Sequence, residues 1–161
     1  MPKVYTNKVY QHLLASSKRI TVEQGGTRSG KTYNILLWLI FSYSTSNKGK
    51  VITICRKSFP SLRASVMRDF LDILRLHQQY REEFHNKSSN EYHLNGNLVE
   101  FISLDQPQKI RGRKRNVLYI NEANELFFED WQQLVFRTDG KIILDYNPSD
   151  TFHWIYDRVI P

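Results

Sequence analysis

The sequence predicts an α/β fold in which a mostly parallel sheet lies between layers of helices. Short apolar runs rich in β-branched residues alternate with longer segments of helical periodicity, which is the pattern of repeated strand–helix units. The short runs are apolar throughout rather than alternating, as expected for strands that are buried on both faces. With 161 residues, of which 40% are hydrophobic, the chain has the size and composition of one globular domain.

Four apolar runs are predicted as buried strands, at residues 19–24, 51–56, 116–121 and 141–146. A β-hairpin, inserted into this sheet, is predicted where Asn95 and Gly96 separate residues 91–94 from residues 98–103. An Asn-Gly pair between two alternating runs favours a hairpin because both residues tolerate positive φ.

Helices are predicted between the strands, at residues 4–17, 33–43, 58–84 and 125–136. Ser58 and Ser61 are the two candidates for the N-cap of the third helix. That helix carries one apolar stripe that we interpret as core, formed by Leu62, Val66, Phe70, Ile73 and Leu74. Residues 105–115 are polar and basic, which predicts a loop.

Charge and cysteine content restrict the class of protein. A formal net charge of +7 favours a polyanionic partner such as nucleic acid. The single cysteine, Cys55, excludes an intramolecular disulfide and indicates a reducing compartment, and its apolar neighbours predict that it is buried. The longest apolar stretch, residues 35–41, is too short to cross a bilayer, so we expect a soluble protein without a membrane partner.

One motif carries phosphate chemistry. Gly25, Gly30, Lys31 and Thr32 match the pattern G-x-x-x-x-G-K-[ST] at every fixed position, between a predicted strand and a predicted helix. Glycines let the backbone wrap closely around phosphates, and the loop amides and the helix N-terminus point at the anion. Lys31 is predicted to neutralise the β and γ phosphates, and Thr32 to place its hydroxyl on Mg²⁺. The alternative is a glycine-rich turn that precedes a helix by chance.

A second motif, NVLYINEAN, places Asn121 and Glu122 at the carboxyl end of a predicted strand, where ligands bind in open α/β sheets. Glu122 is predicted to orient and activate the attacking water, and the alternative is an acid that stabilises a helix N-terminus. Asn121 stands where an aspartate commonly binds Mg²⁺; its neutral amide gives less electrostatic stabilisation. Asp145 ends another predicted strand, where it either compensates in part or is a structural turn residue.

Three segments, GGTRSGKT, KIRGRKRNVLYINEANEL and LDYNPSDTFHWIYDRVI, resemble the N-terminal ATPase part of tailed-phage terminase large subunits, from about Arg19 to the end of the chain. The first is generic to P-loop proteins, and the other two are more specific. The resemblance implies an ASCE-type, RecA-like P-loop NTPase that hydrolyses ATP to move double-stranded DNA into a procapsid. It also implies that residues 1–161 form one ATPase domain, C-terminally incomplete, without a nuclease domain or nuclease activity.

The resemblance implies roles for individual residues. Glu122 is the catalytic glutamate, Lys31 assists it, and Thr32, Asn121 and Glu122 are the candidates at Mg²⁺. Arg111 is similar in position to arginines that act on a neighbouring subunit's ATP, and its alternative is a solvated basic loop. The nucleotide-binding candidates are Gln24 (adenine), Gly25, Gly26, Thr27, Arg28, Ser29, Gly30, Lys31, Thr32 and Asn147, which lies in the motif that senses the γ-phosphate.

The implied partners are double-stranded DNA, portal protein, small terminase subunit and further copies of the chain, in the cytoplasm of an infected bacterium. Arg111, Arg113, Lys114 and Arg115 have three interpretations: contacts to DNA phosphates, contacts to a neighbouring subunit, or a solvated loop. Lys57, Arg63 and Arg68 either line a DNA path or form the solvated face of a helix. The alternative functions are a helicase-like ATPase and a remnant that binds nucleotide or DNA without turnover.

Overall fold

A computed structural model describes residues 8–25, 30–110, 114–147 and 154–160 of the chain. Within this part, one sheet of seven strands forms the centre of the protein. The strands are β1 (Ile20–Gln24), β2 (Val51–Arg56), β3 (His85–Asn86), β4 (Glu91–Leu94), β5 (Asn97–Ser103), β6 (Arg115–Ile120) and β7 (Thr138–Tyr146).

The strand order across the sheet is β1-β7-β6-β2-β5-β4-β3. The five strands from β1 to β5 in this order are parallel to their neighbours, and only β4 and β3 run antiparallel at one edge. The prediction of a mostly parallel sheet is therefore confirmed. Because β7 lies between β1 and β6, the carboxyl ends of these three strands meet at one edge of the sheet.

The described helices are α1 (Lys8–Ala15), α2 (Lys31–Trp38), α3 (Ser44–Ser46), α4 (Phe59–Leu62), α5 (Arg68–Leu76), α6 (Pro107–Ile110) and α7 (Phe128–Phe136). A π-helical turn at Leu39–Tyr43 joins α2 to α3, another at Arg63–Met67 joins α4 to α5, and a third spans Ile155–Val159. Two 3₁₀ turns occur at Glu82–Phe84 and Ala123–Glu125. None of the helices in the described ranges is long and apolar enough to span a bilayer.

The sheet separates two hydrophobic cores, because successive side chains of a strand point to opposite faces. Val117 and Tyr119 of β6 pack with α1, α2, α4 and α5 on one face. Leu118 and Ile120, which alternate with them, pack with α7 on the other face. Burial on both faces explains why these strands are apolar throughout, and Cys55 is completely buried as predicted.

The structure confirms several local predictions. Strand β2 has the predicted bounds. Asn95 and Gly96 join β4 to β5 with φ of 50° and 81°, although β5 also pairs in parallel with β2 and so belongs to the main sheet. Ser58 is the N-cap, since its Oγ accepts a hydrogen bond from Ser61 N at 3.3 Å. All five residues of the apolar stripe that begins at Leu62 are buried.

The predicted helices differ from the observed ones in their bounds. The helix predicted at 58–84 ends at Leu76, because the chain turns through His77 and then Gln78, whose φ is 58°. The helix predicted at 125–136 begins at Phe128, where the Asp130 carboxylate accepts a hydrogen bond from Phe127 N at 3.0 Å. The helix predicted at 4–17 ends at Ala15, and its predicted beginning lies outside the described residues.

The loop predicted at 105–115 contains the short helix α6 and is also wrong at its end, because Arg115 is the first residue of β6 and is completely buried. Its guanidinium donates hydrogen bonds to Thr53 Oγ1 (3.1 Å), Leu134 O (3.2 Å) and Ile110 O (3.0 Å). Thr53 in turn donates to Glu100 Oε1 at 2.6 Å. Arg115 is therefore a structural cation of the core, and none of the three interpretations of the basic cluster applies to it.

Candidate nucleotide-binding site

The two ends of the phosphate loop are held by β1 and α2. Gly25 follows β1, and its N–H donates a hydrogen bond to Tyr146 O of β7 at 3.3 Å. Gly30 precedes α2 with φ of 75°, a left-handed conformation that glycine adopts without the steric cost of a Cβ. Gly26, Thr27, Arg28 and Ser29 lie outside the described residues.

Lys31 and Thr32 are the first two residues of α2, so this helix begins two residues before its predicted start at residue 33. The Lys31 side chain reaches back across the loop, where its Nζ donates a hydrogen bond to Gly25 O at 2.9 Å. Lys31 is only 3% exposed, which places its charge inside the site rather than in solvent. Asn34, one turn further, donates from Nδ2 to Gly30 O at 3.0 Å and so fixes the start of the helix.

The neighbouring strands β6 and β7 bring polar residues to the same edge. Ile120 of β6 pairs with Leu144 of β7, so the residues that follow them, Asn121 and Asp145, lie side by side. On the other side of β7, Asp145 pairs with Glu23 of β1, directly before the phosphate loop. Asn121 is 2% exposed and Asp145 is completely buried.

Asp145 is the centre of the hydrogen-bond network at this edge. Its carboxylate accepts hydrogen bonds from Asn121 Nδ2 (3.0 Å), from Glu122 N (2.7 Å) and from the Tyr119 hydroxyl. A longer hydrogen bond, at 3.4 Å, comes from the Thr32 hydroxyl. Asp145 lies inside β7, so its interpretation as a structural turn residue is wrong.

Tyr119 stays a neutral donor in this network. Complete burial and the neighbouring Asp145 carboxylate raise the pKa of the Tyr119 hydroxyl well above its ordinary value. A phenol that keeps its proton can donate a hydrogen bond to the carboxylate. The sequence indicated Tyr119 only as a strand residue, because its partner Asp145 is 26 positions away.

Glu122 has an unusual backbone conformation, with φ of 54° and ψ of 55°. A residue with a side chain in this left-handed region costs about 1–3 kcal/mol, and such strained residues cluster at functional sites as well as in tight turns. The hydrogen bond from Glu122 N to Asp145 holds this conformation. In the described part of the chain the Glu122 side chain accepts no capping hydrogen bond from the turn that follows it.

The pKa of the Glu122 carboxyl is raised from its ordinary value, mainly by burial and then by the nearby Asp145 carboxylate. The positive charges of Lys31 and Arg56 act in the opposite direction. A carboxylate with a raised pKa is a stronger base, and both contributions come from residues of the same sheet edge. This environment suits the role that the sequence predicted for Glu122.

Sequence reasoning missed a salt bridge beside Glu122. Arg56, at the end of β2, donates from Nε and Nη2 to the Glu125 carboxylate at 3.0 and 3.4 Å, and from Nη1 to Ser65 Oγ at 2.7 Å. It thereby ties the turn Ala123–Glu125 to the end of the neighbouring strand. The available signal was a charged residue directly after a buried strand, at the edge where Glu122 was expected.

Other predicted residues lie at the same edge or outside the described ranges. Gln24 is exposed at the end of β1. Asn147 directly follows β7, and its N–H donates to Asn124 Oδ1 at 3.2 Å. Arg111 lies outside the described residues. The structure thus brings together Gly25, Gly30, Lys31, Thr32, Asn121 and Glu122. It places Asp145, which the sequence offered as a partial compensation for Asn121, beside them.

The residues present fit a magnesium ion. Asn121 Nδ2 must face the Asp145 carboxylate, which leaves Asn121 Oδ1 buried and without a hydrogen-bond partner among the described residues. This amide oxygen, the Thr32 hydroxyl and the Asp145 carboxylate are the hard oxygen ligands that Mg²⁺ or its water shell prefers. Within the described ranges no group of three His, Cys, Asp or Glu side chains could hold a metal ion by itself.

A family model described as "Terminase large subunit, T4likevirus-type, N-terminal" matches residues 24–161. The chain belongs to the terminase large subunit family. A comparison with curated protein sequences found no significant match.

Solved structures share the fold of this terminase chain. The large terminase of a thermophilic bacteriophage superposes with a TM-score of 0.74 at 16% identity, over 94% of this chain and 41% of that one. Its complex with ADP gives a TM-score of 0.73 at 18% identity, over 96% and 42%. The large terminase ATPase domain of Thermus phage P74-26 gives 0.66 at 15% identity, over 95% and 68%. The present chain therefore spans about two fifths of the thermophilic phage enzyme, at 41% of its length.

Proposed function

We propose that this terminase domain binds ATP with Mg²⁺ and hydrolyses it, and that hydrolysis drives double-stranded DNA into a phage procapsid. The proposal rests mainly on one observation: the buried Asp145 carboxylate accepts hydrogen bonds both from Thr32, at the end of the phosphate loop, and from the backbone N–H of Glu122. The fold supports it, because the similar thermophilic phage enzyme was solved with ADP and with ATP-γ-S.

Lys31 and Thr32 bind the phosphates in this proposal. The Lys31 ammonium exchanges the Gly25 carbonyl, which it contacts at 2.9 Å, for β- and γ-phosphate oxygens. Thr32, Asn121 and Glu122 would hold the magnesium ion, which would supply positive charge for the phosphates. The amides of the loop from Gly25 to Gly30 surround the β-phosphate.

Glu122 accepts a proton from the attacking water. Its raised pKa brings the carboxylate closer to the working pH, which favours general base catalysis. The Asp145 contact to Glu122 N fixes the backbone before substrate arrives, so little reorganisation is needed during the reaction.

Four residues complete the proposed ATP contacts. Gln24, exposed next to the loop, contacts adenine, and Arg28 contacts the nucleotide. Asn147 senses the γ-phosphate and transmits its state through the hydrogen bond to Asn124. Arg111 stabilises the transition state on the ATP of a neighbouring copy, since a guanidinium can neutralise the charge that spreads over the transferred phosphoryl group.

The proposed macromolecular partner is duplex DNA, which the motor grips through its phosphates rather than through base contacts. The net charge of +7 supports this partner. Arg63 and Arg68 line a surface groove that also contains Arg75 and Lys87, which favours the DNA-path interpretation for this pair. Lys57 instead lies over the Phe127 ring, 4.1 Å from its centroid.

The assembled motor would also contain portal protein, small terminase subunit and further copies of the chain, in the cytoplasm of the infected bacterium. A residue that acts on a neighbouring copy requires such an assembly, so ATP turnover is expected to rise with protein concentration. The same dependence should be lost when Arg111 is replaced by alanine.

The test is phosphate release by the full chain with and without duplex DNA, together with ADP binding. Glu122→Gln should lower turnover by about 10²–10⁴-fold and keep ADP binding, whereas Lys31→Ala should lose ADP binding. The exposed residues Glu129 and Lys8 provide matched controls, as Glu129→Gln and Lys8→Ala.

Each alternative function predicts a different result in this assay. Turnover that duplex DNA stimulates supports a packaging motor, and separation of DNA strands would indicate a helicase. ADP binding without turnover at any concentration would indicate a remnant. Undiminished ADP binding by Lys31→Ala would refute the nucleotide site itself.

A further inference from the structure

Where Mg²⁺ would bind, between Thr32, Asn121 and Asp145, the negative charge lies on β7 instead of β6. Asn121, which ends β6, is neutral, and Asp145 on the adjacent strand is the carboxylate that reaches the phosphate loop. The two side chains contact each other at 3.0 and 3.3 Å, so amide and carboxylate lie within one hydrogen-bonded cluster.

The Thr32 hydroxyl connects this cluster to the phosphate-binding helix. Thr32 Oγ1 accepts a hydrogen bond from Asn121 Nδ2 at 3.3 Å and donates one to Asp145 Oδ2 at 3.4 Å. A hydroxyl has one proton and two lone pairs. With its proton directed at Asp145 and one lone pair on Asn121, one lone pair of Thr32 remains for a cation.

The hydrogen-bond pattern makes the Asp145 carboxylate an acceptor. Thr32, Tyr119, Asn121 and the backbone N–H of Glu122 all direct donors at its two oxygens. A buried anion is stable when a cation compensates it as well as hydrogen bonds. Among the described residues no Lys, Arg or His side chain forms an ion pair with Asp145.

From these contacts we infer that Asp145 supplies the carboxylate of the magnesium site, and that Asn121 contributes the neutral oxygen Oδ1. The inference rests on the proposed ATPase function and adds a positioning residue for the metal that the motif at Asn121 and Glu122 does not contain. Asp145 acts at Mg²⁺ through the Thr32 hydroxyl and the shared network, and its charge replaces the one that Asn121 lacks.

Because the side chains of Asn121 and Asp145 contact each other, an exchange of the two residues moves the negative charge from β7 to β6. In the double variant Asn121→Asp/Asp145→Asn the carboxylate and the amide exchange strands, and the hydrogen bond between them is formed in the opposite direction. The total charge of the site and the size of both side chains stay the same. Asp139 lies exposed on the same strand β7, at its other end, and Asp139→Asn is the matched control for loss of one charge.

The experiment measures ADP affinity by titration calorimetry in EDTA and in Mg²⁺ for each full-length variant. The ADP affinity in EDTA shows whether the variant is folded and has a working phosphate loop. The ADP affinity in Mg²⁺ divided by that in EDTA, called the magnesium ratio here, measures the contribution of the metal alone. Asp145→Asn should lower the magnesium ratio by about 10–100-fold, which is the loss of metal affinity that is typical when a hydrogen-bond partner of a metal ligand is removed. The double variant should recover most of that ratio, and Asp139→Asn should not change it.

The outcomes separate this inference from the proposed function. If the wild-type chain binds no ADP in either buffer, the proposed function fails and the role of Asp145 fails with it. If the wild type binds ADP and Asp145→Asn keeps the full magnesium ratio, only the role of Asp145 is overturned. If Asp145→Asn does not fold, the exchange decides: a double variant with wild-type EDTA affinity but no magnesium enhancement overturns the inference, and recovery of the enhancement supports it.

Discussion

Replacement of Arg115 by methionine should destabilise the domain strongly, although the residue lies far from the nucleotide. Methionine keeps the unbranched side chain that packs beside β6 and removes the guanidinium. That group donates to Thr53, Leu134 and Ile110, and its charge lies close to the buried Glu100. Burial lowers the pKa of Arg115 and the Glu100 carboxylate raises it, so the two charges depend on each other.

The size of the stability loss depends on which hydrogen bonds the partners of Arg115 keep after the substitution. Three hydrogen bonds from a charged donor would sum to about 4.5–9 kcal/mol, but such contributions are not additive. Leu134 O keeps the Thr138 hydroxyl at 2.8 Å, and Thr53 keeps Glu100 at 2.6 Å. The remaining loss comes from the buried Glu100 carboxylate, which loses its nearby cation, and an uncompensated buried charge costs about 3–5 kcal/mol. This is a large part of the roughly 5–15 kcal/mol that stabilises an ordinary domain.

Urea unfolding followed by circular dichroism measures this loss, and thermal unfolding should show a decrease of roughly 6–20 °C in Tm. Lys114→Met is the matched control, because Lys114 is the adjacent cation and is exposed; it should change stability by less than about 0.5 kcal/mol. The double variant Glu100→Gln/Arg115→Met should be less destabilised than the sum of the single changes. A loss below about 1 kcal/mol for Arg115→Met would refute the structural role.

Three further predictions concern the backbone and the thiol. A Cβ at Gly140 would lie 2.1 Å from Asn116 O, so Gly140→Ala should lower the free energy of unfolding in urea by about 1–3 kcal/mol. Gly49 has positive φ but no atom within 4 Å of such a Cβ, so Gly49→Ala should lower it by less. A larger loss for Gly49→Ala than for Gly140→Ala would contradict the packing. Glu122→Gly should abolish ATP turnover yet raise stability by about 0.5–1 kcal/mol, because left-handed strain of about 1–2 kcal/mol outweighs the entropy of glycine in the unfolded chain; a lower Tm than that of Glu122→Gln would contradict this. Burial raises the pKa of Cys55 to about 12, so only about 10⁻⁴ of the thiol is ionised at pH 8, and alkylation followed by mass spectrometry should detect modification only on unfolding; rapid labelling of the native chain would contradict its burial.

The sequence predicted features whose cause lies within a few residues of the chain. The phosphate loop, the turn at Asn95 and Gly96, and the buried strand β2 all depend on local spacing and backbone preference. Glu122 was found because the end of a buried strand in an open sheet is a place where ligands bind. These predictions required no knowledge of which strands are neighbours.

Other features depend on neighbours that are distant in sequence. Arg115 was read as part of a basic loop because its partners Thr53 and Glu100 precede it in other strands. Asp145 could be placed at a strand end, but its contacts to Thr32 and Glu122 follow from the position of β7 between β1 and β6. Helix ends such as Leu76 were also mispredicted, because tertiary packing and not helix propensity decides where such a segment stops.

The position of β7 has a mechanical consequence. Backbone ladders join it to the strand of the phosphate loop on one side and to the strand of Glu122 on the other. Sliding β7 along either neighbour would break the hydrogen bonds of both ladders, so β7 is expected to move together with β1 and β6. Beyond Tyr146 these ladders end, and the chain leaves the sheet at Asn147, which is tethered to Asn124. The end of β7 and the turn that carries Asn124 are therefore held in one position relative to the phosphate loop.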